Sequence, residues 1–151
     1  MNPDTEKQNA QYQTLLVLWC ALLVSQFLFV VLLFFVKPNL FHFDAAKPLL
    51  GSNPPLVIGL AVVGIGSLFF SFVFEKKFLN QSVEQQNVGL VQQALIMACA
   101  LCEVVSLFGL LLAFVMDYSY FWIFFLFGIL GIILHFPRRS NLEAASFKKL
   151  S

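Results

Sequence analysis

The chain has 151 residues, of which 60% are hydrophobic and 11% charged, and its formal net charge is +1. Soluble domains carry about 25% charged residues, so this is the composition of a membrane protein, and no hydrophilic block is long enough to build a separate soluble core. The near-neutral balance excludes the basic face or stripe that nucleic-acid binding requires.

Four apolar stretches reach or approach the roughly 20 residues needed to cross a hydrocarbon core of about 30 Å. They are residues 14–36, 56–74, 88–116 and 120–136. The leader "MNPDTEKQNAQYQ" is acidic, and no small-residue cleavage site follows the long first run, so this run reads as a retained anchor rather than a signal peptide. Lys37-Pro38 ends the first span, because proline cannot continue a helix in lipid without leaving backbone groups unsatisfied. The stretch "KPNLFHFDAAKPLLGSNPP" reads as an extramembrane loop in which His42, between Phe41 and Phe43 and ahead of Asp44, dips aromatics into the interface. Pro54-Pro55 opens the second span, and "EKKFLNQSVEQQN" extends or links helices two and three at the membrane surface. Spans three and four are separated only by "DYS", a tight antiparallel turn, with Tyr118, Tyr120 and Trp122 at the level of an aromatic belt. His135 reads as an interface residue ahead of Pro137. The expected fold is a single all-α membrane domain over residues 1–151: four transmembrane helices in an antiparallel up-down bundle.

Lys and Arg near span ends set orientation. With four spans, one side holds Lys7, Lys76, Lys77, Arg138, Arg139, Lys148 and Lys149, and the other holds only Lys37 and Lys47. Both termini are therefore expected on the cytoplasmic side of the cell (inner) membrane. The tail "HFPRRSNLEAASFKKL" fits a positive-inside anchor, or a segment lying along anionic headgroups. The three cysteines, Cys20, Cys99 and Cys102, all lie in apolar runs. Cys99-x-x-Cys102 has no second pair, no neighbouring His in sequence and no βαβ setting, so it reads as helix packing rather than redox or metal chemistry.

Within "ALCEVVSLFGLLLAF" stands one carboxylate, Glu103. It falls about 20 Å into the third helix, near the bilayer midplane, where an ionised carboxylate costs at least about 2.5 to 3.5 kcal/mol. No Lys or Arg lies in any span to pair with it, so desolvation favours the neutral acid. Alternating helix directions bring Ser25 and Gln26 of span one, and Gly64, Gly66 and Ser67 of span two, to the same depth. The Gln26 amide is a candidate partner for a protonated Glu103. Ala61, Gly64, Ser67 and Ser71 line one face of helix two, and Ala94, Ala98, Cys102 and Ser106 one face of helix three. Facing small residues let helices approach closely in lipid, which predicts a tight hairpin of helices two and three.

The residues around Glu103 resemble a known family. A helix with Gly64-x-Gly66, a polar loop, and a helix with a mid-membrane Glu followed by Ser106, Phe108 and Gly109 is similar to the hairpin of the rotary ATPase c subunit, the proteolipid of ion-carrying rings. The resemblance covers roughly residues 59–114 and leaves the flanking helices without counterpart. It implies proton binding at Glu103, with support from Gln26, Gly64, Gly66 and Ser106, and membership of a homo-oligomer or membrane complex. Val104 stands where sodium-type rings place a hydroxyl residue, which favours the proton.

Two functions stay open on these residues: proton binding or translocation at Glu103, and a structural or accessory role in which protonated Glu103 holds helices or a partner together. Enzyme activity is not expected, because His42 and His135 fall at opposite faces and no nucleophile–base pair is visible. No cofactor or metal is expected, and the bilayer itself is the expected partner. The nineteen phenylalanines read as packing and lipid-facing bulk.

Overall fold

The computed structural model describes residues 3–42 and 47–146, and it is helical throughout. Helices α1 (Pro3–Val36), α2 (Pro54–Glu84), α3 (Val88–Met116), α4 (Trp122–Leu134) and α5 (Arg139–Ser146) follow in order, with a short 3-10 turn over Pro38–Phe41 after α1. Three of the helices are long and apolar enough to cross a membrane, and α4 joins them only if it and α5, bent by 47°, make one span. Among the described residues no strand occurs. Phe43, Asp44, Lys148 and Lys149 lie outside the described residues, as do the loop and tail expectations that rest on them.

The helices start and stop where backbone chemistry dictates. α1 begins well before the apolar run because Glu6, Lys7, Gln8 and Gln11 are good helix formers following Pro3. At its far end Lys37 leaves the helix before Pro38 and sends Nζ to the last carbonyls of α3, 3.3 Å from Ala113 O and 2.8 Å from Phe114 O. Asn53 caps α2 by accepting from Leu56 N–H at 3.4 Å, with Pro54 and Pro55 in the first turn. The polar segment after Phe74 extends α2 to Glu84 rather than forming a loop. Gln86 then reverses the chain at φ 49°, and Asn87 Oδ1 accepts from Gly89 N–H at 2.9 Å to open α3. Asp117 ends α3 at φ 50° and pairs with Lys37 at 2.5 Å, while Tyr118 N–H closes back on Leu112 O at 3.3 Å.

α3 is the central helix. It packs on α1, α2, α4 and α5, and its most extensive partner is α2, as the hairpin expectation required. One apolar cluster, with Leu33, Val57, Leu112 and Phe121, fills the end nearest the α1–α2 loop. A second, with Leu15, Val91, Leu95 and Ile132, fills the end where the chain termini meet. Gln8 and Ser146 hydrogen-bond there at 2.8 Å, and α5 tucks Leu142 and Ala145 against the bundle end. Large apolar side chains such as Phe35, Ile65, Phe69 and Val115 point outward, the inverted pattern of a helix bundle that meets lipid. Tyr118 is buried rather than in an exposed belt, its hydroxyl donating to Leu49 O at 2.8 Å, whereas Trp122 is exposed.

Candidate functional site

Glu103 is half-buried on the edge of α3 that faces α1. Its Oε1 accepts from the Ser25 hydroxyl, and the same Ser25 Oγ lies 2.7 Å from Leu22 O one turn back. The partner is thus Ser25 and not the expected Gln26. Successive helix residues are turned by about 100°, so only one of the two adjacent side chains can meet α3 at that point. Trp19, seven residues before Gln26 and on its face, donates Nε1–H to Ile132 O of α4 at 2.8 Å. Gln26 is completely buried, and neither its Oε1 nor its Nε2 has a partner among the described residues.

The other expected residues divide between two seams. Gly64 is buried against Val105 and Phe108, where an added Cβ would stand 3.6 Å from Val105 and 3.7 Å from Phe108. Gly66 has nothing within 4 Å of that position and does not contribute to the hairpin contact. Ser106 is turned to α4 and not to Glu103: a Cβ at Gly128 would sit 2.1 Å from Ser106 Oγ and 3.0 Å from the Cys102 carbonyl. Gly131 does the same one turn on, 2.6 Å from Cys102 Sγ and 3.0 Å from Leu68. The small-residue face of α3 therefore serves α4 as well as α2. Ser106 Oγ has no hydrogen-bond partner among the described residues.

A second polar cluster, not expected from the sequence, sits near the terminal end. His135 follows α4 and is almost fully buried. Its Nδ1 lies 2.7 Å from Glu75 Oε2 and its Nε2 2.9 Å from Ser71 Oγ, both on α2. Ser71 Oγ also donates to Leu68 O at 2.6 Å and accepts from Cys102 Sγ at 3.7 Å. Phe72 packs on the imidazole with ring centroids 4.4 Å apart. With the Ser71 hydrogen given to Leu68 O, Nε2–H donates to Ser71 Oγ, and a proton is shared between Nδ1 and the Glu75 carboxyl. Sixty residues separate the two partners in sequence. The available signal was Ser71-x-x-x-Glu75 on one face of α2, with Gly131-x-x-x-His135 as its counterpart at the end of α4.

No family model, curated protein or solved structure matches the chain. Among the described residues no group of three or more His, Cys, Asp and Glu side chains is placed to hold a metal ion. The polar groups brought together are a carboxyl against a hydroxyl at mid-helix, and an imidazole between a carboxyl and a hydroxyl near one end.

Proposed function

We propose that this chain is a four-span antiparallel membrane protein that holds a proton on Glu103 at the seam of α1 and α3. In this reading α4 and α5 complete the fourth crossing, and both termini face the cytoplasmic side of the cell membrane. The observation that carries it is the Ser25–Glu103 hydrogen bond inside apolar helices that hold no Lys or Arg between Thr14 and Val36 or between Val88 and Met116. Ser25 has one hydroxyl hydrogen and two acceptors in reach, Glu103 Oε1 and Leu22 O. A carboxyl that carries its own proton donates to Ser25 Oγ and frees the serine hydrogen for Leu22 O. The ionised carboxyl competes with Leu22 O for that hydrogen and bears the cost of a charge in hydrocarbon.

The resemblance of the Glu103 segment to the c subunit supports the same chemistry. Here α1 lies over the carboxyl, so the proton path in this proposal runs along the α1–α3 seam. The second reading, a structural or accessory protein, is favoured by the fact that the Ser25–Glu103 bond ties two helices together. Assembly into a homo-oligomer or a larger membrane complex belongs to either reading.

Carbodiimide labelling in nanodiscs across pH separates the two. Labelling of Glu103 that falls as pH rises through neutrality, and is lost in Glu103→Gln with the fold intact, supports proton binding. Absence of labelling at every pH, with Glu103→Gln as stable as the parent and Glu103→Ala destabilised, overturns it in favour of the structural role.

A further inference from the structure

α2 and the corner between α4 and α5 enclose an open cavity of about 480 Å³ at the end of the bundle that carries both termini. Its polar lining is rich in donors: the Lys76 ammonium, the Arg138 guanidinium, and the amides of Asn80 and Asn141. Neither cation has an ion-pair partner among the described residues. One carboxylate, Glu75, also lines the space, but it is held 2.7 Å from His135 Nδ1. The cavity thus presents two cations without an ion-pair partner and one carboxylate engaged by His135.

The cavity is not closed toward lipid. Its remaining wall includes Phe72, Leu134 and Phe136, all exposed on the outer surface. Toward the other end of the same two helices lies an apolar groove of about 200 Å³, lined by Ile65, Leu68 and Phe127 among others. Ile65, Leu68, Phe72 and Lys76 follow at helical spacing on one face of α2, so cavity and groove run in register down one seam. A pair of cations without ion-pair partners beside amide donors, with an apolar groove farther along the same face, is complementary to an amphiphile with an anionic head.

We propose that the α2–α4 seam binds one anionic phospholipid, with its phosphate against Lys76 and Arg138 and an acyl chain along the Ile65–Phe72 face. Arg is suited to bidentate phosphate contact and Lys to a point charge, and each cation near an anionic lipid surface contributes about fivefold in affinity. This proposal does not depend on the protonation of Glu103.

The test is native mass spectrometry of the full chain, titrated with phosphatidylglycerol or with phosphatidylcholine of the same acyl chains. The parent is expected to prefer phosphatidylglycerol by at least tenfold, and Lys76→Gln/Arg138→Gln to bind it about 30-fold more weakly. Lys7→Gln/Lys77→Gln removes the same charge from the same end of the bundle without touching the cavity, and is expected to keep the affinity. Lys76→Arg/Arg138→Lys is expected to retain most of it. A parent without preference between the lipids overturns the proposal, whatever the variants do. Equal losses in both Gln pairs overturn it in favour of diffuse surface attraction. Displacement of the lipid by millimolar inorganic phosphate overturns it in favour of a free-phosphate site.

Discussion

The approach of α4 to α3 rests on three glycines, Gly109 of α3 and Gly128 and Gly131 of α4, and Gly128→Ala probes it most directly. The new methyl would be placed 2.1 Å from Ser106 Oγ, 3.3 Å from Ser106 Cβ and 3.0 Å from the Cys102 carbonyl oxygen. The serine hydroxyl can turn away, but a carbonyl fixed in α3 cannot, so α4 must back off by several tenths of an ångström. Overpacking of this kind costs about 1–3 kcal/mol, against which alanine returns about 1 kcal/mol of helix propensity. The net expectation is a loss of up to about 2 kcal/mol. Gly66→Ala and Gly59→Ala meet nothing within 4 Å and keep only the propensity gain, so both are expected to be neutral or stabilising by up to about 1 kcal/mol. Ser106→Gly in the Gly128→Ala background removes the Oγ and Cβ contacts but leaves the carbonyl, and is expected to restore part of the loss with a coupling of at least about 0.5 kcal/mol. Unfolding in mixed micelles of increasing denaturing-detergent fraction, followed by Trp19 fluorescence beside Ile132, gives these four values and that of Ser106→Gly alone, which completes the coupling cycle. A Gly128→Ala protein as stable as Gly66→Ala would show that α3 and α4 do not meet at this distance.

Two other sites give sharp expectations. His135→Ala leaves a cavity under Phe72 and an unpaired Glu75 carboxylate and is expected to cost about 3 kcal/mol, whereas Glu75→Gln keeps a hydrogen bond to the ring and is expected to cost about 1 kcal/mol. The same unfolding titration reads both, and a larger loss for Glu75→Gln would contradict the pairing. Burial, with Tyr120 nearby, raises the Tyr118 phenol above its ordinary value of 10.0. A group whose folded value is raised contributes its stability fully below the unfolded value and loses it as pH rises through the folded one, so the Tyr118–Leu49 bond is expected to survive to pH 10 and fail above it. Phenolate absorbance across that range, with Tyr118→Phe as reference, checks it; Tyr118 ionising together with exposed tyrosine would refute it.

Much of the bundle was legible because membrane crossing imposes long apolar runs and proline stops. The α2–α3 hairpin followed from small residues at helical spacing, and the level of Glu103 against Ser25 from counting residues. The partner of Glu103 was legible only to within one position, since depth places Ser25 and Gln26 together and the helix turn separates them. The extension of α2 to Glu84 was left open because polar helix formers look alike in a surface helix and a surface loop. The closeness of α4 was signalled by Gly128 and Gly131, but glycines on a short apolar helix fit lipid exposure equally well until Ser106 and Cys102 are seen against them. The His135–Glu75 pair joins the ends of two apolar runs, where single ionisable residues are usual.

The length of α4 has a consequence for the lipid around it. Its 13 residues span about 20 Å, whereas the 29 residues of α3 span about 43 Å. In the proposed fourth crossing α5 is polar and bent away from α4 by 47°, so the apolar wall on the α4 side is short beside that of α1, and a bilayer around the bundle thins, tilts the bundle or draws in interfacial side chains where α4 is exposed. The bundle is thus lopsided toward its solvent, and thin membranes fit its α4 face better than thick ones.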